Sequence, residues 1–80
     1  MVNNMKELLE ILEGIDPDIN YGEEDKLIDN GLLDSLSILS LVTELEDAFE
    51  IEIRPVDLIP SNFNSAESMW NMIQRLQKEN

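Results

Sequence analysis

Residues 30–45 read NGLLDSLSILSLVTEL. On a helical wheel Ile38, Leu41, Val42, Leu45 and the following Phe49 fall at i, i+3, i+4, i+7 and i+11, one apolar stripe of an amphipathic helix. Asp34 precedes the run and is a favoured N-cap, so the spacing predicts a helix from about Ser35 to Phe49 or Glu50. Leu36 breaks the pattern. It falls on the opposite side, among Ser37, Ser40, Thr43, Glu44 and Asp47, where a polar residue would serve solubility better.

The rest of the chain reads as helices around one long connection. Met5, Leu8, Leu9, Leu12 and Ile15 give a first helical stripe, with Asn3 or Asn4 as its cap and Gly14 near its end. Residues 15–34 hold Pro17, Gly22, Gly31 and seven acidic side chains, with apolar anchors at Ile19, Tyr21, Leu27, Ile28, Leu32 and Leu33. A connection this long in a small domain is normally functional, and the anchors predict that it packs on the core. EIEIRP, residues 50–55, alternates as a strand does but has no partner strand, so it is read as an extended connection ended by Pro55. Val56–Ile59 forms at most one helical turn before Pro60. The last helix is expected from Asn64 or Ser65, with Asn64 and Glu67 spaced as a capping box. Its stripe is Ala66, Met69, Ile73 and Leu76, with Trp70 and Met72 at the edges. The predicted fold is all-α, a three- to four-helix bundle with a long first loop, in a single domain spanning residues 1–80.

Eighty residues bury only roughly 60% of the surface the unfolded chain exposes, so the core is small. The chain has neither cysteine nor histidine. A thiolate nucleophile, a disulfide, a Ser-His-Asp arrangement and most transition-metal sites are therefore excluded, and the chain is not expected to be an enzyme. Its net charge of −13 repels phosphate backbones and anionic membranes and steers it towards basic patches on other proteins. No apolar run approaches the roughly 20 residues that span a bilayer, and the first residues lack a signal-peptide pattern. A cytoplasmic monomer is expected.

Two short stretches are candidate sites. In DPDINYGEEDKL, Asp16, Asp18 and Asn20 match the first ligand positions of an EF-hand loop, but Tyr21 stands where Gly is needed and Leu27 where the closing Glu belongs. The stretch is read as a solvated acidic loop, with no metal held. Asp34-Ser35 is the stronger candidate. An Asp-Ser pair opening a helix is ordinarily only a cap, yet here Ser35 follows a long loop, an outward leucine stands beside it, and a phosphate on its hydroxyl would lie at the positive end of the helix dipole.

Residues 27–53, LIDNGLLDSLSILSLVTELEDAFEIEI, resemble the central segment of acyl and peptidyl carrier proteins. The likeness extends to size, acidity, helix order, the long first loop and the FNSAE opening of the last helix, residues 63–67. Its specific part is Asp-Ser-Leu followed by the Leu-Glu-x-x-Phe-x-Ile-x-Ile pattern of Leu45 to Ile53. The resemblance implies that Ser35 receives a 4′-phosphopantetheine arm from coenzyme A and that Asp34 assists the modifying synthase and its Mg²⁺. It also implies that Leu36 and Leu39 form the apolar contact with partner enzymes, while Glu44 and Asp47 meet basic groups around it. The outward leucine is then explained, and the working thiol belongs to the arm. The expected partners are a phosphopantetheinyl transferase and a loading ligase or transferase with a basic docking patch.

Two departures from the family pattern stand out. Ser37 and Ser40 replace carboxylates common in fatty-acid carriers, and Glu50 replaces a common Gly at the end of the helix. NGLLDS also resembles D-alanyl carrier proteins, which take an aminoacyl group from an adenylating ligase for cell-wall polymer (teichoic acid) modification. The leading expectation is a stand-alone carrier of an acyl or aminoacyl thioester, with a D-alanyl carrier as the alternative within the class. An unmodified acidic helical adaptor is the alternative outside it.

Overall fold

The computed structural model describes residues 4–79. Asn4 stands in an extended conformation and its Oδ1 accepts the N–H of Glu7 at 3.0 Å, so α1 runs Met5–Ile15. Asn3, the other candidate cap, lies outside the described residues. Leu8 and Leu12 are fully buried, while Met5, Leu9 and Ile15 pack on the core only in part, joined by Ile11. Gly14 lies inside the last turn, and the N–H of Asp16 closes the helix on the carbonyl of Leu12.

The long connection is ordered from within. The buried Tyr21 places its hydroxyl 2.9 Å from the carbonyls of both Leu12 and Asp16, tying the loop to the end of α1. Burial, and then the charge of Asp16, push the Tyr21 phenol up from its usual value. Residues 26–33 form a tight turn in which the N–H groups of Leu32 and Leu33 both bond to the carbonyl of Leu27. Gly31 sits in this turn at φ +70°, a conformation that favours glycine.

Helix α2 is Ser35–Phe49. Of its predicted stripe Leu41, Leu45 and Phe49 are buried, whereas Ile38 and Val42 are only partly covered. It ends on Glu50, which adopts the left-handed conformation (φ 55°, ψ 49°) that glycine would take more readily. The alternating segment after it forms no strand among the described residues. Its buried Ile51 and Ile53 are held to α2 instead, the N–H of Ile53 donating to Oε2 of Glu46 at 2.9 Å.

A single 3-10 turn, Pro55–Asp57, follows, and then a short α3, Pro60–Phe63. Pro60 opens this helix at its first position, where a missing N–H costs nothing. Asp57 is a buried charge. Its oxygens meet the guanidinium groups of Arg54 and Arg75, each at 3.4 Å, and the N–H of Arg54 at 3.0 Å. Burial alone would raise its pKa, but that N–H and the two arginines hold the carboxyl below its usual range.

Helix α4 is Ala66–Glu79. The capping box expected of Asn64 and Glu67 does not form. Asn64 is still helical (φ −72°, ψ −19°) at the end of α3, not extended as an N-cap must be. Ser65 takes the role, its Oγ accepting the N–H of Ser68 at 3.0 Å. Met72, expected at the helix edge, is fully buried, and Trp70 meets Phe49 edge-on with ring centroids 5.8 Å apart. α1 packs on α2 and α4, and α3 on α4. The result is the all-α bundle expected, with α3 as its fourth helix.

Replacing Glu50 by glycine relieves the left-handed backbone. Chemical denaturation should show Glu50→Gly more stable than the wild type by about 1 kcal/mol, less whatever the Glu50 side chain contributes.

Candidate functional site

Ser35 is the first residue of α2 and is exposed, and no residue among those described takes its hydroxyl in a hydrogen bond. Its position is set on both sides. Behind it, Leu33 is buried and fastens the end of the loop. Beside it, Asp34 is extended and its Oδ1 accepts the N–H of Ser37 at 2.8 Å, which starts the helix and uses one of its unsatisfied first-turn donors. That N–H first, and the Ser37 side chain second, hold the Asp34 carboxyl below the usual carboxylate range. Asp34 thus stays ionised beside Ser35 at neutral pH.

Leu36 and Leu39, three residues apart on one side of α2, are 75% and 62% exposed. Both face solvent, Leu36 as its place on the helical wheel predicts and Leu39 as the resemblance implies. Glu44 and Asp47 are exposed further along the helix. Residues 27–53 contain seven Asp and Glu and no Lys or Arg, so this stretch of the surface is acidic. Ser40 is exposed and Ser37 half-buried, which leaves the first turns of the helix apolar and neutral, with the carboxylates beyond them.

More of the surface is apolar than the sequence reading found. Val56 is 72% exposed, Leu58 45% and Ile59 46%. Leu58 and Ile59 join Pro60, Phe63, Ile28 and Ile38 around a groove of about 150 Å³. Ile38 is one helical turn from Ser35, and the open groove explains why its side chain is only partly covered. Val56, Leu58 and Ile59, set around Asp57 between Pro55 and Pro60, fit neither helical stripe and carry no period that would place them.

In the acidic loop the candidate ligand oxygens serve the backbone. Oδ1 of Asp16 accepts the N–H of Asp18 and Oδ1 of Asn20 that of Gly22, both local turn bonds. Among the described residues no cluster of three His, Cys, Asp or Glu side chains could hold an ion. The arrangement at Ser35 therefore offers a free hydroxyl at a helix N-terminus, a fixed carboxylate next to it, and apolar side chains within an acidic field. It suits covalent attachment at the hydroxyl and docking by a basic protein.

Comparison with known proteins agrees with this chemistry. The family described as phosphopantetheine attachment site matches residues 3–73. The D-alanyl carrier protein of Lactococcus lactis subsp. lactis (strain IL1403) is 28% identical over 80 residues, the full length of both chains. The D-alanyl carrier protein of Streptococcus uberis (strain ATCC BAA-854 / 0140J) is 30% identical over 60 residues, 75% of this chain and 76% of the relative.

Because the folded pKa of Asp34 is lowered, its cap stabilises α2 fully above the ordinary carboxyl value of 3.8 and is lost as the pH falls through the lowered one. Asp34→Ala should be less stable than the wild type at neutral pH, and the two unfolding midpoints should converge in acid. Denaturation of both proteins at a series of pH values measures this.

Proposed function

The chain belongs to the phosphopantetheine attachment family, and from that premise we propose that Ser35 carries the arm of a carrier for acyl or aminoacyl groups. The observation that carries the reading is the free, exposed hydroxyl at the first residue of α2 with Leu36 held outward next to it. The residues present fit the group, since the hydroxyl is unobstructed and the positive end of α2 favours a phosphate there. The arm supplies a terminal thiol on which cargo is held as a thioester.

The chain's own residues bind and present. Asp34 keeps one oxygen on the N–H of Ser37 and offers its other to the modifying synthase and the Mg²⁺ that synthase uses. Leu36 and Leu39 give the enzyme an apolar contact, and Glu44 and Asp47 attract the basic groups around it. Leu58 and Ile59, which share a groove with Ile38, extend the apolar surface beyond α2. The carrier performs no chemistry itself and works as a monomer in the cytoplasm, where coenzyme A, a phosphopantetheinyl transferase and a loading ligase act on it in turn. No helix among the described residues is long and apolar enough to cross a membrane.

Within this class a D-alanyl cargo, destined for a cell-wall polymer, has specific support. The relatives named above are D-alanyl carrier proteins.

Intact mass before and after incubation with coenzyme A, Mg²⁺ and a broad-specificity transferase tests the attachment. The wild type should gain one phosphopantetheine and Ser35→Ala none, with its helical circular dichroism unchanged. Absence of the arm on folded wild type, with the transferase active on a control carrier, would leave the unmodified adaptor. Leu36→Glu should raise the KM of the transferase reaction roughly tenfold by removing a central apolar contact. An unchanged KM removes Leu36 from the docking surface. Incubation of the armed protein with an adenylating ligase should add alanine, and loading only by a long-chain acyl ligase would overturn the D-alanyl reading.

A further inference from the structure

Asn64 lies at the junction of α3 and α4, far along the chain from Ser35, yet its hydrogen bonds converge on the loop that leads to that serine. Its carbonyl accepts the N–H of Leu27 at 2.9 Å. Its Oδ1 accepts the N–H groups of Ile28 at 2.9 Å and Asp29 at 3.1 Å. Its Nδ2 donates to Oδ2 of Asp29 at 3.2 Å. One residue thus fixes three successive N–H groups and a carboxylate that stand 35 to 37 positions away in sequence.

The turn that hangs from this clamp is the approach to the attachment site. Its two ends are secured by the buried side chains of Leu27 and Leu33 and by the bonds of Leu32 and Leu33 to the carbonyl of Leu27. Between those ends Asp29, Asn30, Gly31 and Leu32 are exposed. The Asn64 side chain is what holds the first part of that exposed stretch, and it orients the Asp29 carboxylate. The turn ends at Leu33, two residues before Ser35, and Leu36 stands one residue after it, so an enzyme that closes over the hydroxyl approaches both.

We propose that Asn64 is a positioning residue for the loading of Ser35, keeping residues 28–32 in the conformation that the modifying synthase recognises. The inference rests on the assignment of Ser35 as the attachment site. Without the side chain, the two buried leucines and the main-chain bond from Leu27 still hold the loop, so the fold persists while the exposed turn samples other conformations. The synthase then meets a carrier that is only partly in its competent form, and the fraction appears in KM. Asn64 touches nothing at the reacting hydroxyl, so kcat is left alone.

Steady-state transfer of the arm from coenzyme A, followed by mass spectrometry, tests this with Ser35→Ala as the unreactive control. Asn64→Ala should raise KM about tenfold with kcat within about twofold, and amide exchange should quicken at Ile28 and Asp29. Asn64→Asp keeps the acceptor oxygen but sets a second carboxylate against Asp29, so its KM should rise as well. Adding Asp29→Asn exchanges donor and acceptor across that pair and should return KM to near the wild-type value. Ile73→Val, a conservative core change in α4, reports what general loss of stability does and should leave KM unchanged.

A wild-type KM in folded Asn64→Ala, or an equal rise in Ile73→Val, would overturn the role of Asn64 while Ser35 still takes the arm. Failure of the wild type to take the arm would overturn the Ser35 assignment and this inference with it. If Asn64→Ala does not fold, the Asn64→Asp protein and its rescue by Asp29→Asn decide, and absence of rescue counts against the proposal.

Discussion

The connection between α1 and α2 contains no regular helix, yet the site depends on its being ordered. Fixing the backbone of each residue opposes folding by roughly 1–2 kcal/mol, and a segment without helical hydrogen bonds must offset that by other means. Here the means are few and identifiable. Tyr21 ties the first half to the end of α1, Leu27 and Leu33 anchor the second half in the core, and Asn64 fastens the turn between them. The loop ends where Asp34 starts α2, and the position of Ser35 therefore inherits the precision of these contacts.

Charge is distributed unevenly over the molecule, and the unevenness has a structural cause. Arg54 and Arg75 both bind Asp57, and both also reach Glu79. This network joins the 3-10 turn to the far end of α4 and satisfies a carboxylate that burial would otherwise penalise. It also pairs two of the five basic side chains with carboxylates. Across residues 27–53 no cation opposes the carboxylates, so α2 presents an acidic surface to any approaching protein.

What could be read in the sequence was whatever helical periodicity or a single chain neighbour encodes. The stripe of α2, the outward Leu36 and the Asp34 cap all follow from spacing within a few residues, and all are found. Glu50 was legible as a residue in a place that suits glycine, and it does adopt the left-handed conformation. Asn64 misled because its local spacing to Glu67 matches a cap, while its actual partners lie across the fold at Ile28 and Asp29. The exposed Val56, Leu58 and Ile59 were illegible for a related reason. Apolar residues set around Asp57 between two prolines carry no period, so whether they face the core or the solvent depends on where α2 and α4 leave room. Similarly, the role of Glu46 in holding Ile53 is a contact across a chain reversal that periodicity does not report.

An apolar surface of this kind raises the problem of self-association, since two copies could cover each other's Leu36 and Leu39. Charge argues against that outcome. A dimer through this face would bring together two surfaces without a cation between residues 27 and 53, on chains that each carry −13. Repulsion between them opposes the apolar gain. A basic partner removes the repulsion and covers the leucines in the same step. In the docking proposed above, the exposed leucines and the acidic surface work together: apolar contact supplies affinity, and the field favours partners of opposite charge.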